Sequence, residues 1–103
     1  MKEIKAIIQP FRKEAVIEAL RAIEGLPGAV CSPCHAHSVH ASDWSEEAKV
    51  KVEIMVPDEL AEQVVSAIQQ AACTGHPGDG RIHVLPIEDS IVIRTGEHTK
   101  EPG

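Results

Sequence analysis

Residues 49–72 read KVKVEIMVPDELAEQVVSAIQQAA, and this stretch decides the fold. In its first eight residues every second side chain is β-branched and apolar, and three of the four between them are charged, as in a strand with one buried face. The proline that follows ends the strand, and Asp58 is the expected N-cap of a helix. Apolar residues then recur at helical spacing to about Ala72. The stretch therefore predicts a strand that leads directly into a helix.

The same order occurs at the beginning of the chain. Residues 2–9 alternate and predict a strand, and residues 12–24 have the apolar spacing of a helix, which ends at the glycines and proline of residues 25–28. Two short apolar runs follow the second helix, at residues 82–85 and 91–93. Strand, helix, strand, strand, helix and strand, with a short extra strand at the end, is the α+β ferredoxin-like βαββαβ arrangement.

The composition predicts one globular domain. The chain has 103 residues, of which 43% are hydrophobic and 25% are charged. We expect residues 1–96 to form this domain, with a long loop at about residues 36–48, because long connections in compact domains are often functional. Residues 97–103 are expected to be a flexible tail.

Charge and cysteine content exclude several classes of function. A net charge of −6 argues against nucleic acid or an anionic membrane as the main partner. No apolar run approaches the roughly 18 residues of a membrane span, and the first residues do not resemble a signal peptide. Three cysteines without a secretory context favour reduced thiols in the cytoplasm. No nucleophile lies in a pattern with a base, so we do not expect an enzyme.

A glycine-rich stretch, TGHPGDGR, occupies residues 74–81. Glycines allow successive backbone N–H groups to point into one concavity that binds anions, and Arg81 can add a charge-assisted contact to phosphate. By itself this signal is weak, because a turn between a helix and a strand has the same composition.

Three longer stretches resemble one family. Residues 74–97, TGHPGDGRIHVLPIEDSIVIRTGE, are similar to the C-terminal half of the nitrogen regulatory P-II signalling proteins. Residues 1–23, MKEIKAIIQPFRKEAVIEALRAI, resemble the first strand and helix of that family, and residues 48–68, AKVKVEIMVPDELAEQVVSAI, its third strand and second helix. The stretches follow one another in the family's order.

The resemblance implies a ferredoxin-like subunit of a homotrimer that binds adenine nucleotides in the clefts between subunits. It also implies a surface loop that docks on partner proteins. Carried over by position, the expected nucleotide-binding residues are Gly78, Asp79, Gly80 and Arg81 of the glycine-rich loop, Lys49 at the start of the third strand, and Arg94 near the end.

The chain departs from the family's pattern around the loop. The connection is shorter than in the family, no tyrosine is present for covalent modification, and residues 36–39 lack the usual glycines and arginine. Val92 replaces the first of two arginines of the last strand. With fewer positive charges, we expect ADP or AMP, or weakly bound ATP. The missing glycines and arginine argue against classical sensing of 2-oxoglutarate but leave open whether it is an effector.

Residues 31–40, CSPCHAHSVH, form a cluster of cysteine and histidine. Thiolates and imidazoles bind Zn or Cu, so the cluster predicts a transition-metal site. In a continuous strand Cys31, His35 and His37 would share one face and Cys34 and His40 the other, so only three or four of them would reach one ion. Redox sensing by the cysteines and no special role are the alternatives. The candidate metal ligands are Cys31, Cys34, His35, His37 and His40, whereas Cys73 is interpreted as a buried thiol at a helix end.

These features together predict a P-II-like regulator that takes a transition metal and an adenine nucleotide as inputs. Its expected partner is a membrane transporter, by analogy with P-II-like proteins of metal efflux or uptake systems. Two alternatives remain: a regulator of nitrogen or inorganic-carbon uptake that responds to ATP, ADP or AMP, and a metal-buffering protein.

Overall fold

A computed structural model describes residues 1–99 of the chain, and it has the expected α+β arrangement. Short 3₁₀ turns at Pro10–Arg12 and Asp58–Leu60 lead into the two helices. The elements are β1 (Lys2–Ile8), α1 (Lys13–Arg21), β2 (Val30–His37), β3 (Glu46–Val56), α2 (Ala61–Ala72) and β4 (Gly80–Pro86).

The strands form one antiparallel sheet in the order β2-β3-β1-β4. Alternate residues of β1 and β3 point towards the helices, because successive side chains of a strand face opposite sides. They pack with one stripe of each helix into a single aliphatic core, formed by Ile4, Ala6, Ile8, Val16, Leu20, Ile23, Val50, Val52, Ile54, Val56, Val64, Ile68 and Ala72. The fold class is confirmed.

Asp58 is not the N-cap that the sequence predicts. The residue before the 3₁₀ turn is Pro57, and no side chain caps it. The Asp58 carboxylate instead lies 2.7 Å from the terminal amino nitrogen of Met1. Hydrogen bonding to that ammonium group holds the pKa of Asp58 below its usual value. The ion pair thus joins the beginning of β1 to the beginning of the second helical segment.

The loop expected at about residues 36–48 is present but shorter, because the ends of β2 and β3 extend into it as a hairpin. β2 continues to His37 and β3 begins at Glu46, which leaves residues 38–45 as the connection. The Ser45 carbonyl accepts a hydrogen bond from the Ser38 N–H at 3.1 Å, and Trp44, 94% exposed, lies on this loop. β2 is an edge strand, the position in a sheet where a proline such as Pro33 is tolerated.

The extra strand expected near residues 91–93 is reduced to a single β-bridge between Ile91 and His98. The His98 ring lies 2.8 Å from the Asp89 carboxylate, and Thr99 donates its N–H to the Ser90 carbonyl at 2.9 Å. These contacts hold the first residues of the predicted flexible tail. The rest of that tail, residues 100–103, lies outside the described residues.

Along residues 1–99, neither helix has both the length and the apolar character that crossing a membrane requires.

Candidate functional site

The glycine-rich loop connects α2 to β4 and is organised around Asp79. The Asp79 carboxylate accepts the N–H groups of Thr74 at 2.7 Å and Gly75 at 3.1 Å, and it also accepts the Thr74 hydroxyl. These groups are therefore not free to bind an anion. Asp79, one of the residues expected at the nucleotide, shapes the loop, and its own negative charge makes it a poor contact for phosphate.

The glycines of this loop are required by its backbone. Gly75, Gly78 and Gly80 all have positive φ, the region that residues with a Cβ rarely adopt. At Gly80 there is a second reason, because a Cβ there would lie 1.7 Å from the carbonyl oxygen of Ile7. The loop therefore joins β4 at a point where the backbones of Gly80 and Ile7 approach so closely that only glycine fits.

Lys49 contacts the loop directly. Its ammonium group donates to the Gly78 carbonyl oxygen at 2.6 Å, and Gln9 donates to the same oxygen at 2.8 Å. The Lys49 side chain is only 6% exposed, and the exposed Glu47 carboxylate lies 3.3 Å from its nitrogen. The structure therefore brings together Lys49 and Gly78, two of the residues expected at the nucleotide, and adds Gln9, whose role no sequence motif indicated.

The two candidate arginines lie at the surface. Arg81 is exposed near the start of β4, beside a cavity of about 310 Å³ between the ends of β1, α2 and β4 that Asp79 and Gly80 also line. Arg94 is exposed on the turn at residues 93–95. Both guanidinium groups are thus available to a ligand or to another subunit.

Replacing Asp79 with asparagine is expected to remove part of the acid sensitivity of folding. Hydrogen bonds from Thr74, followed by the weaker one from Gly75, hold the pKa of Asp79 below its ordinary value of 3.8. A carboxyl whose pKa is lower in the folded chain stabilises the fold above its ordinary pKa. That contribution disappears as the pH falls through the folded-state pKa.

Urea unfolding of the wild type and Asp79→Asn at a series of pH values measures this difference. The wild type should be the more stable at neutral pH, and the gap should narrow as the pH falls below about 4. The pKa of Asp43, lowered by a hydrogen bond from the Ser45 N–H, and the lowered pKa of Asp58 are common to both proteins, so their effects cancel in the comparison. A gap that stays constant down to the lowest pH would contradict the assignment.

The cysteine and histidine cluster is split by the strand that carries it. In the hairpin, three members of the cluster lie on the face of the sheet that carries the core further along β3. They are Cys31, opposite Val52, His35, opposite Ala48, and His37, opposite Glu46. Cys34 is opposite Lys49 and faces the other side. His40 lies beyond the strand, with its ring nitrogen 2.8 Å from the Ser42 hydroxyl. The face assignment predicted for a continuous strand is confirmed for Cys31, Cys34, His35 and His37.

Distances along the strand separate these residues further. Cys31 and His37 are six residues apart in β2, a span of about 20 Å, and Cys31 and Cys34 are about 10 Å apart. A disulfide needs Cα atoms within about 7 Å, so Cys31 and Cys34 cannot pair unless the strand is disrupted. Among residues 1–99, no three histidine, cysteine or acidic side chains converge in an arrangement that could hold a metal ion.

The third cysteine does not have the expected environment. Cys73 is the C-cap residue of α2 and is exposed, so the interpretation as a buried thiol is wrong. The physical reason is that α2 buries a stripe through Val64, Ile68 and Ala72, and the next residue leaves the helix in an extended conformation.

A sheet covered by helices on one face, together with this glycine-rich loop, defines a ferredoxin-like α+β domain. The family model described as nitrogen regulatory protein P-II matches residues 1–97. The protein of that name from Rhodospirillum rubrum is 42% identical over 94% of this chain and 95% of its own length. The one from Haemophilus influenzae is 37% identical over 98% of both chains.

A plant protein extends the comparison. The nitrogen regulatory protein P-II homolog of Arabidopsis thaliana is 38% identical over 92% of this chain and 54% of its own length. The chain therefore belongs to the nitrogen regulatory P-II family, and it is a regulatory signalling protein. The resemblance that the motifs indicated is confirmed.

Proposed function

We propose that this P-II protein is a homotrimeric regulator that binds an adenine nucleotide in the clefts between its subunits. The observation that carries the proposal is the contact between the Lys49 ammonium and Gly78 of the glycine-rich loop, at 2.6 Å. A lysine beside a glycine-rich loop is a combination that suits phosphate groups, because charge-assisted hydrogen bonds to phosphate are stronger than neutral ones.

Burial makes this lysine a better phosphate ligand than an exposed one. At 6% exposure the Lys49 charge is poorly screened by water, and its only carboxylate partner among the described residues is Glu47 at 3.3 Å. A phosphate oxygen can replace the Gly78 carbonyl as the acceptor, and Gln9 still satisfies that carbonyl. The exposed Arg81 and Arg94 can supply further positive charge.

Calorimetric titration with ATP, ADP and AMP tests this function. We expect saturable binding at one site per subunit, with ADP or AMP bound more tightly than ATP, because Val92 stands where the family carries an arginine. Light scattering on the same preparation should give three times the 11.1 kDa mass of the chain. Absence of heat with all three nucleotides, confirmed by equilibrium dialysis, would falsify the proposal.

The uncovered face of the sheet supports the trimer. Both helices lie on the other face, so no helix covers the side chains of β1 and β3 that alternate with the core residues. Met55 and Leu85 lie on this face, because each is the strand partner of Glu3, which points away from the core. Their side chains are 37% and 38% exposed. Burying such apolar side chains between subunits stabilises an assembly.

We further propose a transition metal, bound at the cluster of residues 31–40, as a second input, and a metal transporter in the membrane as the regulated partner. The three free cysteines are consistent with action in the cytoplasm. The exposed loop at residues 38–45, with Val39 and Trp44 fully or almost fully exposed, offers apolar side chains to such a partner.

A second candidate is regulation of nitrogen uptake by the same nucleotide site, without a metal. The observation that favours it is the name of the relatives, nitrogen regulatory protein P-II. Zinc titration separates the two candidates, because only the first requires that metal binding changes the affinity for nucleotide. The nucleotide must then change the affinity for metal by the same factor.

A further inference from the structure

We infer that His35, His37 and Glu46 form a three-donor site for Zn(II) or Cu(II) at the end of the β2–β3 hairpin. Cys31 and Cys34 are not ligands of this site. The inference rests on the metal input proposed above and specifies the residues and the chemistry of its site. Glu46 lies outside the cysteine and histidine cluster that the sequence singled out.

The pairing of the two strands places the three side chains on one face. His35 and His37 are two residues apart in β2, so their Cα atoms are about 7 Å apart and both rings project from the same side. Glu46 is directly opposite His37, and Ala48 is opposite His35. The small alanine leaves room for the His35 ring to lean towards Glu46, its diagonal neighbour.

One pair of donors is already close to the spacing that a metal ion requires. The His37 Nε2 atom lies 3.9 Å from a Glu46 carboxylate oxygen. Two ligands of a tetrahedral zinc ion, each at about 2.0–2.1 Å from it, are about 3.3 Å apart. Both side chains are more than half exposed, at 61% and 54%, so small rotations without a change in the core can close the remaining distance.

His35 is the donor that must move. No three donor side chains within residues 1–99 converge as they stand. His35 is exposed, however, and no hydrogen bond or ion pair within the described residues restrains its ring, so its rotation is opposed mainly by side-chain entropy. The metal would thus assemble the site by ordering surface side chains on a rigid hairpin.

The cysteines cannot join this site while β2 is a strand. Cys31 is on the same face, but it is four residues from His35, about 13 Å along the strand, and it packs against the hydrophobic core. Cys34 projects from the opposite face, across from Lys49. The remaining donors are two imidazoles and a carboxylate, a set that suits Zn(II) or Cu(II) and leaves a coordination position open.

Zinc titration of four variants, followed by competition with a chelating dye, tests the assignment. Removal of a ligand should weaken binding by about 100-fold or more, beyond the 10–100-fold effect of outer-shell residues. We expect that loss in Glu46→Gln and a complete loss when His35→Ala and His37→Ala are combined. The doubly substituted Cys31→Ser, Cys34→Ser protein should bind one zinc per chain as the wild type does.

Glu47→Gln is the matched control, because Glu47 is the next residue of the same strand and faces the other side. It should bind zinc as the wild type does. The spectrum of the Co(II) protein should lack thiolate charge-transfer absorption. Far-UV circular dichroism should be unchanged in the histidine and glutamate variants, since the residues substituted in them are exposed.

The outcomes separate this inference from the proposed function. Loss of zinc binding in the cysteine variant, or wild-type affinity in Glu46→Gln, overturns the ligand assignment and leaves a metal input in place. Failure of the wild type to bind zinc or copper overturns both the assignment and the metal input. The nucleotide function is judged independently by its own titration.

Discussion

Gly80→Ala is expected to destabilise the fold by roughly 4 kcal/mol, a large share of the about 5–15 kcal/mol that stabilises a typical domain. Two costs combine at this position. The φ angle of +104° is unfavourable for any residue with a Cβ, by about 1–2 kcal/mol. The new methyl group would also lie 1.7 Å from the Ile7 carbonyl oxygen, so β4 must move away from β1.

Gly75→Ala isolates the first cost, because Gly75 has φ +82° in the same loop but no atom within 4 Å of the position of a Cβ. It should be destabilised by only about 1 kcal/mol. Gly28→Ala, with ordinary φ and open space, should be neutral or slightly stabilised. Urea unfolding followed by circular dichroism ranks the three variants, and equal midpoints for Gly80→Ala and Gly75→Ala would show that the contact with Ile7 is unimportant.

Lys49→Met is expected to weaken nucleotide binding by about 10- to 150-fold. A charge-assisted hydrogen bond to phosphate is worth about 1.5–3 kcal/mol, and each 1.4 kcal/mol is a factor of ten in affinity. Methionine retains the unbranched shape of the buried side chain and is one atom shorter, and Gln9 still donates to the Gly78 carbonyl oxygen. The loss should therefore come from the missing positive charge, with the loop retained.

Lys51→Met is the matched control for this change. Lys51 is two residues further along β3 on the same face, and its ammonium group contacts the Glu53 carboxylate at 3.9 Å. The Lys51→Met substitution removes the same charge from the chain as Lys49→Met, and it should leave the nucleotide affinity within about twofold of the wild-type value. Calorimetric titration of both variants with nucleotide tests this prediction. Equal affinities would mean that Lys49 acts only through the overall electrostatic potential of the protein and not by direct contact with phosphate.

Much of the fold is predictable because burial imposes a period on the sequence. Strands β1 and β3 are the central strands of the sheet, each with one face in the core, and their alternation follows from that. The helices are recognisable for the same reason, since each buries one stripe. The loop at residues 74–81 was recognisable from its glycines, which the positive φ angles require.

β2 was harder to predict because nothing local makes it a strand. It is an edge strand with most residues exposed, and its cysteines, histidines and proline carry no alternating pattern. Its conformation is imposed by pairing with β3, a contact distant in sequence. Glu46 was missed for a related reason: it is one of 16 acidic residues, and only the register places it opposite His37.

Trp44 gives the protein an intrinsic optical reporter. It is the only tryptophan, the chain has no tyrosine, and the indole is 94% exposed on the loop at residues 38–45. Its fluorescence emission therefore reports the polarity around that loop. A partner docked on the loop, or metal binding that orders the end of the hairpin, should shift the emission wavelength. Global unfolding leaves an already hydrated indole in water, and fluorescence would scarcely register it.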